Sequence, residues 1–338
     1  MNLFYPSHDI ALAYGVRHFN PPAMAIRLQE DLAYLADIWN EPYLSGSAQV
    51  PMPWGWDYDT RAYIHTHYHL PLAMLPTDDD LQQIRTLSSR TVTLRLHEAL
   101  HQHGIQTPPP PRILTSEKQT FDYIREMDDE NRRFVFKTLW SSSGRGLAPS
   151  HIAGRDGNFH PVQREALLRH AQTAIRKMGA LMAETWIDHK EHDLAMLFLA
   201  SDTEVRFLGY SLFVNDGTTY RQGYLLSNET IVGRLQLNPD MLQQLSDAYT
   251  DILNDLLRPF FGHAWQLGYL GIDMMTYHDT AEDGQTSLRL HPCIELNLRT
   301  TMGTICRLWY DKYKQDGVFR ISPMLENGHF KAEFLTTE

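Results

Sequence analysis

Hydrophobic residues recur at helical spacing around Ala23 to Trp39 and again from Leu81 to His103, where Gly104 supplies a stop. Four consecutive prolines, Pro108 to Pro111, then impose a stiff extended connection, and a domain boundary is placed near Pro108. Beyond it the pattern predicts a helix from Ser116 to Met127 with Ser116 as N-cap, and a strand from Phe134 to Trp140. A Ser/Gly-rich turn, a helix from Gln163 to Met178 and a strand reaching Glu184 follow. Further strands run from Leu194 to Val214, a helix from Pro239 to Trp265 opens at Asn238, and a strand pair lies between Leu267 and Leu298. The first 76 residues are less decisive: an opening strand at Leu3 to Tyr5 and a Pro/Gly/Trp-rich loop from Val50 to Asp59 flank the first helical stretch. No internal repeat is visible.

The strand pair carries the densest chemistry. Leu288, Leu290, Pro292, Ile294, Leu296 and Leu298 alternate with His291, Cys293, Glu295, Asn297 and Arg299, which predicts one apolar and one polar face. A hairpin centred on Gly284 in the polar loop Asp279 to Thr286 sets Asp273 directly opposite Glu295. Two facing carboxylates repel unless a cation neutralises them, and Mg²⁺ favours carboxylate oxygen, phosphate oxygen and water. Asn297 adds a neutral oxygen on that face and Arg299 a fixed positive charge. Pro292 signals an edge or a bulge that could shift the pairing. The alternative is a solvated polar face on an amphipathic strand.

A second feature is Lys137, a lone charge inside the apolar strand Phe134 to Trp140, which needs an anion or a route to water. The turn Ser141 to Gly146 that follows can present N–H groups and hydroxyls to phosphate, with Arg145 adding charge. Neither the phosphate-loop pattern nor the dinucleotide fingerprint is present.

Composition narrows the function classes. With 338 residues, 43% of them hydrophobic, the chain can bury a core shared by two or three units. A formal net charge of −11 opposes nonspecific binding to nucleic acid or anionic membrane, so an anionic ligand needs a local basic cluster and metal ions. No apolar run approaches the roughly 20 residues of a membrane span, and the first residues lack a signal-peptide pattern, giving a cytoplasmic expectation. The two cysteines, Cys293 and Cys306, read as packing residues.

In order along the chain, Lys137, the Ser141 to Gly146 turn, Ala183-Glu184-Thr185-Trp186-Ile187, Asp193, Gly271-Ile272-Asp273 and Glu295-Leu296-Asn297-Leu298-Arg299 resemble the ATP-grasp superfamily, over about Arg112 to Asp311. The resemblance implies an α+β / α/β fold in which two α+β subdomains, 109–185 and 186–338, clasp ATP. A pre-ATP-grasp-like α/β domain at 1–108 would precede them and could bind substrate. It further implies a nucleotide held by Glu184 and the backbone of Thr185, Trp186 and Ile187, with Asp193 near the ribose. Lys137 would contact the phosphates, and Ser142, Ser143, Gly144, Arg145 and Gly146 would close over them. Asp273, Glu295 and Asn297 would hold two Mg²⁺ ions, for which Mn²⁺ could substitute. Arg299, Lys137 and Arg145 form the catalytic set. Arg90 and Arg95 are candidates for a second phosphate-contacting base; spacing does not choose between them, and Arg95 is carried with the nucleotide set.

The activity implied is a carboxylate-amine ligase that makes an acyl phosphate from a small carboxylate and passes it to an amine. A phosphotransferase of the same fold and a non-catalytic nucleotide-binding regulator are the alternatives. The oligomeric state is open, a homodimer among the options. Five further segments attract notice. His65, His67 and His69 would share one side of an extended segment, a spacing able to bind a transition metal, although a surface or substrate-lining role fits as well. Ser7-His8-Asp9 and Asn20-Pro21-Pro22 could face the acceptor substrate, or Ser7 or Asp9 could cap a helix. Trp54-Gly55-Trp56-Asp57 could form a recognition loop or an aromatic packing unit, and Tyr220, Arg221 and Gln222 could enter the cleft.

Overall fold

The structure, a computed structural model, describes residues 2–15, 19–141, 146–154, 158–217, 219–280, 284–324 and 328–336. Among the described residues up to Pro108 there are helices and no strand, so the expected N-terminal α/β character is not found. Leu3, Phe4 and Tyr5 are buried but irregular, joined to the rest by a bond from the Trp54 N–H to the Leu3 carbonyl (2.8 Å). A short apolar run records burial without specifying strand pairing. The helical pattern from Leu81 to His103 is two helices, Asp78–Leu87 and Val92–Gln102. At the break between them the Arg90 N–H bonds the Leu139 carbonyl (2.9 Å), tying this point to the lysine-bearing strand.

The strands are β1 (Arg112–Leu114), β2 (Phe134–Thr138), β3 (Leu147–Pro149), β4 (His151–Ala153), β5 (Phe159–Pro161), β6 (Leu181–Thr185), β7 (Lys190–Ala200), β8 (Val205–Asp216), β9 (Thr219–Leu225), β10 (Gly268–Thr280), β11 (Thr286–Asn297), β12 (Gly317–Met324) and β13 (His329–Thr336). A four-stranded sheet has the order β1-β6-β2-β3, and a seven-stranded sheet the order β11-β10-β7-β8-β9-β12-β13; β4 and β5 pair alone.

In the small sheet Phe134, Phe136, Leu181 and Ala183 pack against Tyr123, Ile124 and Met127 of helix Glu117–Asp129 and Leu167, Ala171 and Ala174 of helix Arg164–Met178. Alternation then turns Val135, Lys137 and Glu184 to the opposite face. Ser116 caps the first helix as expected, its side chain accepting from the Gln119 N–H. Under the large sheet, Leu245, Tyr249 and Leu253 of helix Pro239–Leu257 join Leu270, Ile272 and Leu296 in one core, which Phe4, Trp39, Trp54 and Trp56 share. The N-terminal helices therefore pack on the large sheet. Helix Pro239–Leu257 stops short of the expected Trp265 because Pro259 enters a 3₁₀ turn, Arg258–Phe260.

Candidate active site

Strands β10 and β11 place Asp273 opposite Glu295. The turn is centred one residue before Gly284, pairing Thr280 with Thr286 and Met275 with His291; a bulge between Met275 and Asp273 then restores the expected partner. Pro292 lies in that bulge, where its missing N–H disrupts no ladder bond. Burial and the neighbouring Glu295 push the Asp273 carboxyl up to about 7, against a hydrogen bond from Asn297.

Several cations surround this pair. The Arg90 guanidinium, 5% exposed, donates from Nη2 to Glu295 Oε2 (3.0 Å) and from Nη1 to Ser141 Oγ (2.8 Å). Arg95, by contrast, is exposed on helix Val92–Gln102 and does not line the cleft, so Arg90 is the arginine that the fold brings to this site. Lys137 is buried and ion-paired with Glu184 across β2 and β6. Arg299 reaches Asp9 through Nε and Nη2 (2.8 Å each), and its Nη2 also donates to Asn297 Oδ1 (2.9 Å).

Arg90, Lys137, Asp273, Glu295, Asn297 and Arg299 border one cleft of about 2040 Å³, well above the roughly 300–1,000 Å³ of an ordinary small-ligand pocket, so a nucleotide and a second molecule both have room. Lys137, Ser141 and Glu184 line one side, Asp273, Glu295, Asn297 and Arg299 the other, and Thr185, Trp186 and Ile187 the connection between the sheets. The Trp186 N–H is taken by the Arg133 carbonyl (2.8 Å). Asp193, on β7, also lines the cleft and is held by Lys190 (2.7 Å) and Asn215 (3.1 Å). Ser142, Ser143, Gly144 and Arg145 lie outside the described residues. Gly146 accepts from the Thr138 N–H, and a Cβ there would stand 2.0 Å from Thr138 Oγ1.

Asp273, Glu295 and Asn297 suit a hard divalent cation by donor type. Among the described residues no group of three or more His, Cys, Asp or Glu side chains could hold a metal. Two carboxylates and an amide oxygen would supply only some of the oxygen ligands such a cation takes, with water and phosphate as the others. The three-histidine alternative fails on geometry: His65 and His67 belong to helix Tyr58–His67, where a two-residue step separates faces. His65 bonds the Leu70 carbonyl and His67 stacks on Tyr63.

Other side chains were less visible in sequence. His97 and His291 sit edge to face (5.8 Å) on the cleft wall, His97 Nε2 donating to the Cys293 carbonyl (3.0 Å). Burial lowers both rings' proton affinity, that of His291 to about 3 with Lys137 adding to the effect. Burial also raises the Cys293 and Cys306 thiols to about 12, in keeping with packing roles. Trp54 and Trp56 are core residues, although Trp54 borders the cleft. Ser7 makes no capping bond, and Asp9 binds Arg299 in place of capping. Tyr220 lines the cleft, whereas Arg221 is exposed.

A small sheet bearing a lysine and an acidic partner thus faces a large antiparallel sheet bearing opposed carboxylates, an asparagine and an arginine, across one connection. This is the arrangement that the resemblance to the ATP-grasp superfamily implies. Several solved structures are similar to this chain. N5-carboxyaminoimidazole ribonucleotide synthetase in its ADP complex is 13% identical, with 71% of this chain and 57% of that chain covered and a TM-score of 0.42. The biotin carboxylase domain of 2-oxoglutarate carboxylase from Hydrogenobacter thermophilus, with MgADP, ADP and bicarbonate, is 12% identical over 90% of this chain and 63% of that chain, with a TM-score of 0.49. D-alanyl-alanine synthetase A from Vibrio cholerae is 10% identical over 68% and 62%, with a TM-score of 0.42. This chain therefore spans less than two thirds of each, and such partial likenesses leave its reaction to be argued from its own residues. No family model and no curated protein matches the sequence. No helix among the described residues is long and apolar enough to cross a membrane.

Proposed function

We propose that this chain is an ATP- and Mg²⁺-dependent ligase that phosphorylates a small carboxylate and transfers its acyl group to an amine or similar nucleophile, releasing ADP and phosphate. The observation that carries the proposal is the pairing of Asp273 with Glu295 in a cleft that also presents Lys137, Arg90 and Arg299. The adenine would lie against the backbone of Thr185 to Ile187 and the ribose near Asp193. Lys137 would exchange Glu184 for a phosphate, and Arg90 would exchange Glu295 in the same way. These exchanges keep each buried cation paired throughout. Asp273, Glu295 and Asn297 would hold Mg²⁺, which when bound neutralises charge on phosphate oxygens. Arg145, with Ser142, Ser143 and Gly144, would add to the phosphate contacts.

A substrate carboxylate oxygen attacks the γ-phosphorus and ADP leaves; the amine then attacks the acyl carbon, loses a proton and expels phosphate. Arg299 would balance the anionic charge of the acyl phosphate. Much of the acceleration would come from holding the reactants together away from water. Incubation with ATP, Mg²⁺ and pools of carboxylic acids and amines, followed by mass spectrometry, tests the proposal. ADP formed together with a condensed product supports it. AMP formation would indicate adenylation, and a phosphorylated product without condensation would indicate a kinase; either overturns the ligase reading.

A further inference from the structure

We infer that Asp9, supplied by the N-terminal segment, is the positioning residue for Arg299, and that His8 backs it with a buried positive charge. The inference rests on the ligase reading of the cleft. Arg299 lies two residues beyond the end of β11, where a long side chain has many rotamers open to it. Here it is clamped: Nε and Nη2 lie 2.8 Å from Asp9 Oδ2, Nη2 also reaches Asn297 Oδ1 at 2.9 Å, and Nη1 reaches the Thr300 carbonyl at 3.2 Å. A guanidinium has five N–H groups, so one on Nη1 remains for a ligand in the cleft that Arg299 lines.

The His8 ring stands on the other side of the Asp9 carboxyl. It is fully buried, with Nδ1 3.6 Å from Asp9 Oδ1 and Nε2 3.1 Å from the Trp56 carbonyl. A carbonyl oxygen only accepts, so Nε2 carries a proton, and a neutral ring would turn a lone pair on Nδ1 toward the carboxylate. The doubly protonated ring removes this conflict. Burial works against that charge, but Asp9 and Asp57 outweigh it and hold the His8 pKa above its ordinary value. Burial likewise opposes the charge of Asp9, and Arg299 with His8 overcomes it and keeps that carboxyl below its usual range. Asp9 thus lies between the His8 ring and the Arg299 guanidinium and fixes Arg299 while one Nη1 proton stays free for an anion. Gly55 lets the ring sit there, since a Cβ would stand 2.7 Å from its Cε1 and Nε2.

The test titrates MgADP, then orthovanadate as a stand-in for the transferring phosphoryl group, into the full chain and its D9N, D9E, R299M and D9N/R299M variants. D9N should keep MgADP affinity within about twofold and lose vanadate affinity at least about tenfold, D9E should recover part of the loss, and the double variant should bind vanadate no worse than R299M. Vanadate affinity unchanged in D9N, or losses that multiply in the double variant, would overturn the inference alone. A wild-type chain that fails to bind MgADP would overturn the ligase reading and the inference with it. Should D9N not fold, D9S takes its place and is read by the same criterion: unaltered vanadate affinity in D9S overturns the inference.

Discussion

Asp273→Asn should make the ligand-free protein more stable while abolishing ATP turnover. The Asp273 carboxyl is raised from 3.8 to about 7 by burial and by Glu295, so the folded state prefers the protonated form. A carboxyl raised in this way contributes fully below pH 3.8, and its contribution is lost as the pH climbs through about 7. Above pH 7 the ionised group destabilises the fold by on the order of 4 kcal/mol, at 1.36 kcal/mol per pH unit. Asparagine keeps the shape and can still accept from Asn297, but it removes the charge. Urea unfolding in EDTA should show the variant more stable than wild type at pH 8, with the gap reduced by at least half at pH 5. Mg²⁺ with ATP should narrow the pH 8 gap by stabilising wild type alone. A variant no more stable than wild type at pH 8 would refute the picture of two carboxylates pressed together without a cation.

Arg90→Met should raise the KM for ATP at least about tenfold, whereas Arg95→Met, an exposed change, should leave it within about twofold; steady-state ADP release measures both. Gly55→Ala should destabilise the chain by about 1–3 kcal/mol, because the new Cβ meets the His8 ring at 2.7 Å, and thermal unfolding would show it. Asn238→Ala removes the side-chain oxygen that accepts from the Asp240 N–H and should lower stability by about 1 kcal/mol in chemical denaturation without altering ATP affinity.

The site was more legible than its surroundings for physical reasons. Strand alternation fixes faces whatever the turn does, and so the polar set Glu295, Asn297 and Arg299 could be read directly, as could Lys137 in its apolar strand. The Asp273–Glu295 register was reached from a turn centre one residue off, and the bulge at Pro292 made up the difference. Helix caps at Ser116 and Asn238 were visible because the capping oxygen acts on the N–H groups two or three residues on. What sequence could not show was contact between distant segments. Asp9 and Arg299 are 290 residues apart, Arg90 and Glu295 205. The break that frees Arg90 lies inside a continuous helical pattern, and nothing local separates it from Arg95. At Leu3 to Tyr5, packing beneath Trp54 produced an apolar run that resembles a strand.

The most direct test of the central claim is a crystal structure with Mn²⁺ and a non-hydrolysable ATP analogue, read at the manganese absorption edge. An anomalous peak held by Asp273, Glu295 and Asn297 is expected, with the triphosphate beside Lys137 and Arg90. A nucleotide bound elsewhere, or phosphates in the cleft with no manganese at these carboxylates, would contradict it.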